Sequence, residues 1–314
     1  MLDADWALLT DVLGHPPEAL LEKPAGEITS PGQYFGWTAW LYRLFHSREG
    51  AMHLPVYLPD GNGQHYEALQ TQVRYLTPLL SKQTRLRVLE MGCGMGYNSH
   101  WLARHFPEHQ FWGLDASLSH LRQARAMARY FRNLHFVPGN YHAPEAWPGP
   151  MHLIFAIESF CYVQDVEGVL AALAKNLSPG GHLVIFDAFA GTGFAHCSLR
   201  EQQAQRLSAL SFAVRDWWPV EIVKQKAAQQ GLQLQAQTDY SAAVLPNLIR
   251  FQEDMRKTLG QYKPWFAWAY RRGVLPKAVF LHIMGGLLGA HTMASPAQRY
   301  YLLHWQKKMP QVDS

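Results

Sequence analysis

The chain of 314 residues holds 28 Lys and Arg against 24 Asp and Glu, and its net charge of +4 is spread without a basic block or tail, which argues against a nucleic-acid partner. Three cysteines, Cys93, Cys161 and Cys197, form no metal-ligand spacing, and the acidic start MLDADWALLT lacks the basic character of a signal peptide, so a reducing, cytoplasmic setting is expected. With 17% charged and 13% aromatic residues, there is apolar surface to spare for lining a pocket.

Residues 1–33 carry two weak helical patterns separated by Pro16, Pro17 and Pro24 and read as a cover. From Tyr34 to Phe45 the spacing of Trp37, Trp40, Leu41 and Leu44 predicts a helix with one apolar face. Residues 50–63, GAMHLPVYLPDGNG, are turn-rich, carry His53 and Tyr57, and lead into a helix predicted over 64–80. An alternating pattern starts at Leu86, with strands predicted at 88–91, 110–114, 134–137, 152–157 and 182–186 and helices between them, which implies a parallel sheet. Ser117 and Asp165 are predicted to start helices, the first presenting Leu118, Leu121, Ala124 and Ala128 as its buried face.

A further helix over 219–230 has Pro219 at its start and Gly231 past its end. Residues 232–238 alternate as a sixth strand, and RYYLLHW at 299–305 reads as a last one. Between these two strands lies a helical, aromatic-rich stretch containing Tyr262, Trp265, Phe266, Trp268 and Tyr270, expected to form a lid. The apolar run Val274 to Met293 includes Pro276, Lys277, His282 and His291 and is broken by Gly285 and Gly286, so it is a poor membrane span. Docking on a bilayer surface, or roofing an apolar pocket, stays open for it.

The chemistry concentrates at VLEMGCGMGYNSHW, residues 88–101, which reads as a buried strand, a glycine turn and a helix start. Compared with the dinucleotide fingerprint GxGxxG, the third glycine comes one residue early and Tyr97 takes the last place, which counts against a nicotinamide dehydrogenase. Glu90, two residues before Gly92, suits a ligand with a cationic amino-acid head better than a pyrophosphate. Asp115 ends the second strand and Glu158 directly follows the fourth, at the carboxyl edge where open α/β sheets bind ligands. Glu158 is the expected proton acceptor, with Tyr162 close behind it. Asp187 and the histidines rank below these, and no histidine or carboxylate spacing argues for a metal.

The motif ExGCGxG resembles motif I of the class I S-adenosylmethionine (SAM) methyltransferases. The acidic residue after the second strand, the LSPGG turn before the fifth and the insertion before the last strand match that superfamily too. Within it, AIESFCYV, TDYSAAVLPNLIRF and FLHIMGGLLGA resemble segments of the sterol and tocopherol methyltransferase branch. MHLPVY sits where sterol enzymes carry a substrate-side histidine and aromatics, in a pattern of its own.

The resemblance implies that Gly92, Gly94 and Gly96 turn under the methionine part of SAM, with Glu90 near its ammonium and Cys93 and Asn98 as further cofactor contacts. It further implies Asp115 at the ribose, Asn140 and Tyr141 at the adenine, and Ala116 and Ile157 as further cofactor contacts. Trp37, His53, Tyr57, His142, Trp265 and His282 are the expected acceptor contacts. Cys161 is not expected as a nucleophile, because methyl transfer from a sulfonium needs no covalent enzyme intermediate.

The expected fold is α/β and Rossmann-like, a mostly parallel seven-stranded sheet with helices on both faces. Residues 1–83 are expected as an N-terminal helical cover and substrate-side segment, 84–244 as the SAM-binding domain, 245–297 as a helical lid between the last two strands, and 298–314 as the last strand and tail. The expected activity is methyl transfer from SAM, leaving S-adenosylhomocysteine, to a small apolar acceptor such as an isoprenoid, lipid or prenylated ring. C-methylation is favoured. N- or O-methylation of a specialised metabolite and a silent SAM-binding scaffold are the alternatives, and peripheral membrane contact and homo-oligomerisation stay open. The turn after the fourth strand lacks the (D/N)PP(Y/F) sequence of amino-methylating DNA enzymes, reading Glu158, Ser159, Phe160, Cys161.

Overall fold

A computed structural model describes residues 1–22, 31–41, 47, 50–59, 61, 63–143 and 147–309, with 33, 36 and 39–41 described by backbone alone. Their contacts group into two units. Residues 42–188, 220–240 and 301–314 make an α/β unit, and residues 1–41, 189–219 and 241–300 make a helical one.

The α/β unit is built on β1 (Arg87–Met91), β2 (Gln110–Asp115), β3 (Leu134–Pro138), β4 (Met151–Ile157), β5 (Leu177–Ala190), β6 (Leu232–Asp239) and β7 (Gln298–Lys307). They lie in the order β3-β2-β1-β4-β5-β7-β6. The pairs β1/β2, β1/β4, β2/β3 and β4/β5 are parallel, whereas β6 and β7 are antiparallel. This is the expected mostly parallel sheet of seven strands. Val88, Leu89 and Met91 on central β1 are all buried, as a strand covered on both faces requires. β6 is an edge strand along which only Leu232 is fully buried, so its alternation marks an exposed strand with one weakly covered face.

Helices α3 (His65–Ala68) and α4 (Thr71–Leu80) replace the single helix predicted over 64–80. The break has a physical cause: Val56 N–H donates to Ala68 O and His53 Nε2 to Leu69 O, so two carbonyls at the junction are claimed by residues 53–56. The remaining helices of this unit are α5 (Tyr97–His105), α6 (Leu118–Ala128), α7 (Val166–Asn176) and α9 (Val220–Gln229), which follows helix α8 (Leu199–Ser211) of the other unit. Ser117 and Asp165 cap α6 and α7 as expected, accepting from the N–H of His120 and Gly168. On α6, Leu118 is exposed and His120 is buried in its stead, because His120 turns toward Asp115, 3.6 Å away. LSPGG belongs to β5 itself, with the register slipping between Met151 and Leu153.

The helical unit contains α1 (Leu2–Leu13), α2 (Pro31–Leu41), α8, α10 (Ser241–Arg271) and α11 (Lys277–Ala294). On α2 the buried side chains are Tyr34 and Thr38 while Trp37 is exposed; the side chains of Trp40 and Leu41, and Leu44, lie outside the described residues. Helix α11, from the run left open for bilayer docking, is instead the middle of this unit's core. Phe280, Leu281, Met284, Leu287 and Leu288 pack with Trp6, Leu9, Leu207 and Leu259. Gly285 and Gly286 make that possible: a Cβ would stand 3.0 Å from Phe212 and Ser211 at the first and 2.7 Å from Phe251 at the second. Among the described residues no helix is long and apolar enough to cross a membrane. Helix α10 kinks at Tyr262 (φ −116°, ψ 23°), two residues before Pro264, whose ring and missing N–H disturb the preceding turn.

Candidate active site

The turn from β1 into α5 holds all three glycines at positive φ: Gly92 at 68°, Gly94 at 53° and Gly96 at 86°. They are glycine for different reasons. A Cβ on Gly92 would lie 2.4 Å from the Ser159 Cβ, and one on Gly96 would lie 2.6 Å from Phe136 Cζ, so the protein itself crowds both. At Gly94, among the described residues, only Met52 Sδ comes near, at 3.4 Å, and this is where the backbone leaves room for a ligand.

Two carboxylates brace the turn. Asp115 Oδ2 accepts from Gly94 N–H at 2.8 Å and Oδ1 from Ser117 N–H at 2.7 Å, which ties the end of β2 to the glycine turn. A carboxylate oxygen has a further lone pair, so both atoms stay able to accept from a ligand hydroxyl. Glu90 is buried and accepts from Ser99 N–H at 3.0 Å, Ser99 Oγ at 2.5 Å and Asn98 Nδ2 at 3.0 Å. Burial pushes its carboxyl up to about 7 against these hydrogen bonds, with the Asp115 charge adding to the rise. Asn98 presents the complementary feature: it is buried and its Oδ1 has no partner among the described residues. A cationic ammonium fits this pair, donating to the Asn98 oxygen and restoring the charged form of Glu90.

Ser159 is a residue the sequence reading missed. Its hydroxyl donates to Met91 O at 2.6 Å and accepts from the Tyr141 hydroxyl at 2.8 Å, joining β1, β4 and the loop after β3. Cys93 and Ile157 are buried along this turn, whereas Ala116 is exposed. Asn140 is also exposed, and its Oδ1 accepts from His142 N–H at 2.7 Å in a local turn.

Glu158 occupies the left-handed region with φ 50°, a conformation that costs a side-chain-bearing residue about 1 kcal/mol. Its N–H donates to Phe186 O and its Oε1 accepts from Leu54 N–H at 2.7 Å. The residue thus links the sheet edge to the segment 50–57, whose Leu54 O accepts in turn from Gln72 Nε2. Behind it the Asp187 carboxylate accepts from the N–H of Cys161 and Ala188, and burial pushes its carboxyl up to about 7. Tyr162 and Cys161 are half-buried on the short turn so held, and burial pushes the Cys161 thiol well above its ordinary range.

A groove of about 250 Å³ is lined by Val56, Tyr57, Leu58, Thr71, Tyr75 and Tyr240, with Glu67 and Arg74 also on its wall. Tyr240 stacks on Phe186 with ring centres 6.1 Å apart, and Tyr75 meets the same ring edge-on at 5.8 Å. The Tyr75 hydroxyl lies 2.9 Å from His304 Nδ1, and His304 Nε2 lies 2.9 Å from His182 Nδ1. Burial, with the neighbouring His182, brings His304 down to about 4 and keeps it neutral. The consistent assignment has Tyr75 donating to His304 and His304 donating to His182.

The expected acceptor contacts have different surroundings within each unit. Tyr57 is at the groove, with its hydroxyl 3.0 Å from His65 Nδ1. His53 is buried against Leu69 O, and burial lowers it to about 4. His142 is exposed. In the helical unit Trp37 and Trp265 are exposed, and His282 Nδ1 lies 2.8 Å from the Tyr34 hydroxyl. Among the described residues no cluster suited to a metal ion occurs.

Residues 88–181, from β1 into β5, match the family described as Methyltransferase domain. The chain carries a methyltransferase domain. It is 31% identical over 127 residues to a trans-aconitate 2-methyltransferase of Deinococcus radiodurans, covering 40% of this chain and 47% of that one. A sterol 24-C-methyltransferase of Saccharomyces cerevisiae is 27% identical over 103 residues, 32% of this chain and 27% of its own length. The chain thus spans less than half the length of these curated relatives. Among solved structures, the geranyl diphosphate C-methyltransferase of Streptomyces coelicolor, determined with Mg2+, geranyl diphosphate and S-adenosyl-L-homocysteine, superimposes with a TM-score of 0.64. That likeness covers 91% of this chain and 98% of that one at 14% identity, and the fold is that of the class I methyltransferases.

Proposed function

We propose that the protein is a SAM-dependent methyltransferase that moves a methyl group to a small apolar acceptor, with carbon as the favoured target. The observation that carries the reading is the glycine turn with room at Gly94, braced by Asp115 and flanked by the buried Glu90–Asn98 pair, at the same sheet edge as Glu158. When bound, SAM supplies an electrophilic methyl on a sulfonium. Asp115 accepts from the ribose hydroxyls, Asn98 with Glu90 receives the ammonium, and Glu158 takes the proton that the acceptor gives up as its new bond forms. Segment 50–57, tied to Glu158 through Leu54, covers the turn and keeps water from it.

The aromatic and aliphatic lining of the groove supports an apolar acceptor. At about 250 Å³ it is smaller than a complete small-molecule pocket of roughly 300–1,000 Å³, so it takes part of the acceptor only. The sterol and geranyl diphosphate methyltransferases among the similar proteins point the same way. A second reading, an acidic acceptor, has Arg74 on the groove wall and the trans-aconitate methyltransferase in its favour.

The test is isothermal titration with SAM and S-adenosylhomocysteine, together with mass spectrometry of small molecules that copurify. Micromolar binding that Asp115→Ala abolishes supports the cofactor, and a copurified apolar molecule methylated on adding SAM supports the acceptor class. Binding without turnover of any copurified compound or acceptor panel would favour a silent scaffold, and failure of both ligands to bind would end the reading.

A further inference from the structure

Among the described residues four large aromatic side chains of the helical unit are exposed: Trp37 on α2 and three on the second half of α10. Tyr262, Trp265 and Trp268 are 51%, 51% and 52% exposed, and Val274, on the turn into α11, is 58% exposed. The spacing of three puts these rings along one flank of the helix after its kink. On the adjoining face Phe266 and Ala269 are buried, and Phe266 meets the Trp265 ring edge-on at 4.9 Å. The rings therefore stand on an anchored helix, presented to water by a backbone that is itself packed. Exposed tryptophans grouped in this way are unfavourable for a surface that touches only solvent.

Charge supplies the second observation. Lys263, Arg271, Arg272 and Lys277 fall among and beside these rings, and no Asp or Glu occurs between Asp254 and Asp313. Lys263 pairs with Asp11 at 2.7 Å and Arg271 donates to Asp11 O, so these two also fix the ridge to α1. Arg272 and Lys277 are exposed and have no ion-pair partner among the described residues. Half-exposed indoles flanked by cations match the headgroup layer of a bilayer, where an indole body sits among acyl carbonyls and cations meet phosphates. A convex helix flank with its cations beside the rings is poorly shaped to track a nucleic-acid backbone.

We propose that the ridge from Tyr262 to Lys277 seats the protein on the surface of an anionic lipid bilayer. The apolar run that follows, 278–293, takes no part because it is core. Contact is monotopic, with Trp265 and Trp268 as the inserted side chains and Arg272 and Lys277 as the electrostatic arm. The proposal is independent of which acceptor is methylated.

The test is co-sedimentation of the full chain with phosphatidylcholine vesicles and with vesicles containing about one-third phosphatidylglycerol, at low and high salt. The expected result is binding to the anionic vesicles at low salt, weakened by salt. Trp265→Ala with Trp268→Ala is expected to lower the partition at least tenfold, and Arg272→Gln with Lys277→Gln to remove most of the preference for anionic lipid. Circular dichroism melts and SAM titration of both variants check that the fold persists. No binding of the wild-type chain at low salt, or equal binding by the tryptophan variant with its fold intact, overturns the proposal. So does a stable dimer in sedimentation equilibrium that the tryptophan pair, rather than lipid, controls.

Discussion

The glycine turn and the groove beside segment 50–57 belong to one α/β unit but are held in opposite ways. At the turn many constraints are short in sequence and written in backbone geometry, three glycines at positive φ, a helix beginning at Tyr97, and Glu90 bonded to residues eight and nine positions later, with Asp115 and Ser159 added as braces from further along the chain. At the groove they are long in sequence and made by side chains: Leu54 to Glu158, and Tyr75 to His304, 229 positions apart. A site for an invariant cofactor can be rigid by local design. A site for one particular acceptor is assembled from distant pieces, each replaceable by itself.

If the turn is the cofactor end, Asp115→Ala should hurt most. It removes the ribose contacts and the brace on Gly94, a loss of roughly 3–5 kcal/mol or more than 100-fold in SAM affinity by titration. Glu158→Gln should leave SAM affinity within about threefold yet lower turnover at least about 100-fold, because an amide cannot accept the proton. Equal turnover in that variant would reduce Glu158 to a tie for Leu54.

The glycines can be separated by melting. Gly92→Ala should destabilise the fold by about 2–3 kcal/mol through its clash with Ser159, whereas Gly94→Ala should cost about 1 kcal/mol and be felt mainly in SAM binding. At the groove, Tyr75→Phe should raise the acceptor KM up to about tenfold and leave SAM affinity unchanged, since one neutral hydrogen bond is lost.

The smallest effect is on pH. Glu90 titrates near 7 without ligand, and a bound cation favours its charged form, so binding releases a proton and affinity rises with pH. The gain between about pH 6 and 7 should be roughly fivefold, with matching proton release in titrations run in two buffers. An affinity independent of pH over that window would detach Glu90 from the ligand.

Legibility follows the same division. The succession of strands along the chain, the helix caps Ser117 and Asp165 and the turn around Gly94 were readable, because periodicity and glycine spacing are local. Tyr240 lay in plain view inside TDYS, yet nothing local says that it stacks on Phe186. Ser159 and Tyr75 gave no signal at all, since their importance comes from partners brought by the sheet. The helix predicted over 64–80 failed for the same reason: periodicity continues through Leu69, but residues from another stretch take its carbonyls. In α11, an apolar run read as a possible bilayer contact turned out to be a helix surrounded by helices, and its two glycines mark close approach rather than a weak span.

The strand order bears on how the molecule comes into being. β7 lies between β5 and β6, although both of those strands leave the ribosome well before it, β6 ending at Asp239 and β7 starting at Gln298. Until β7 arrives, β5 and β6 have no partner on their facing edges, and such edges invite pairing with other chains. The long helical stretch α10–α11 must be synthesised during that interval, so the nascent sheet waits on it. Shortening the chain before β7 would therefore not trim an end but remove an interior stave from the sheet, and the expected product is an aggregate rather than a smaller folded protein.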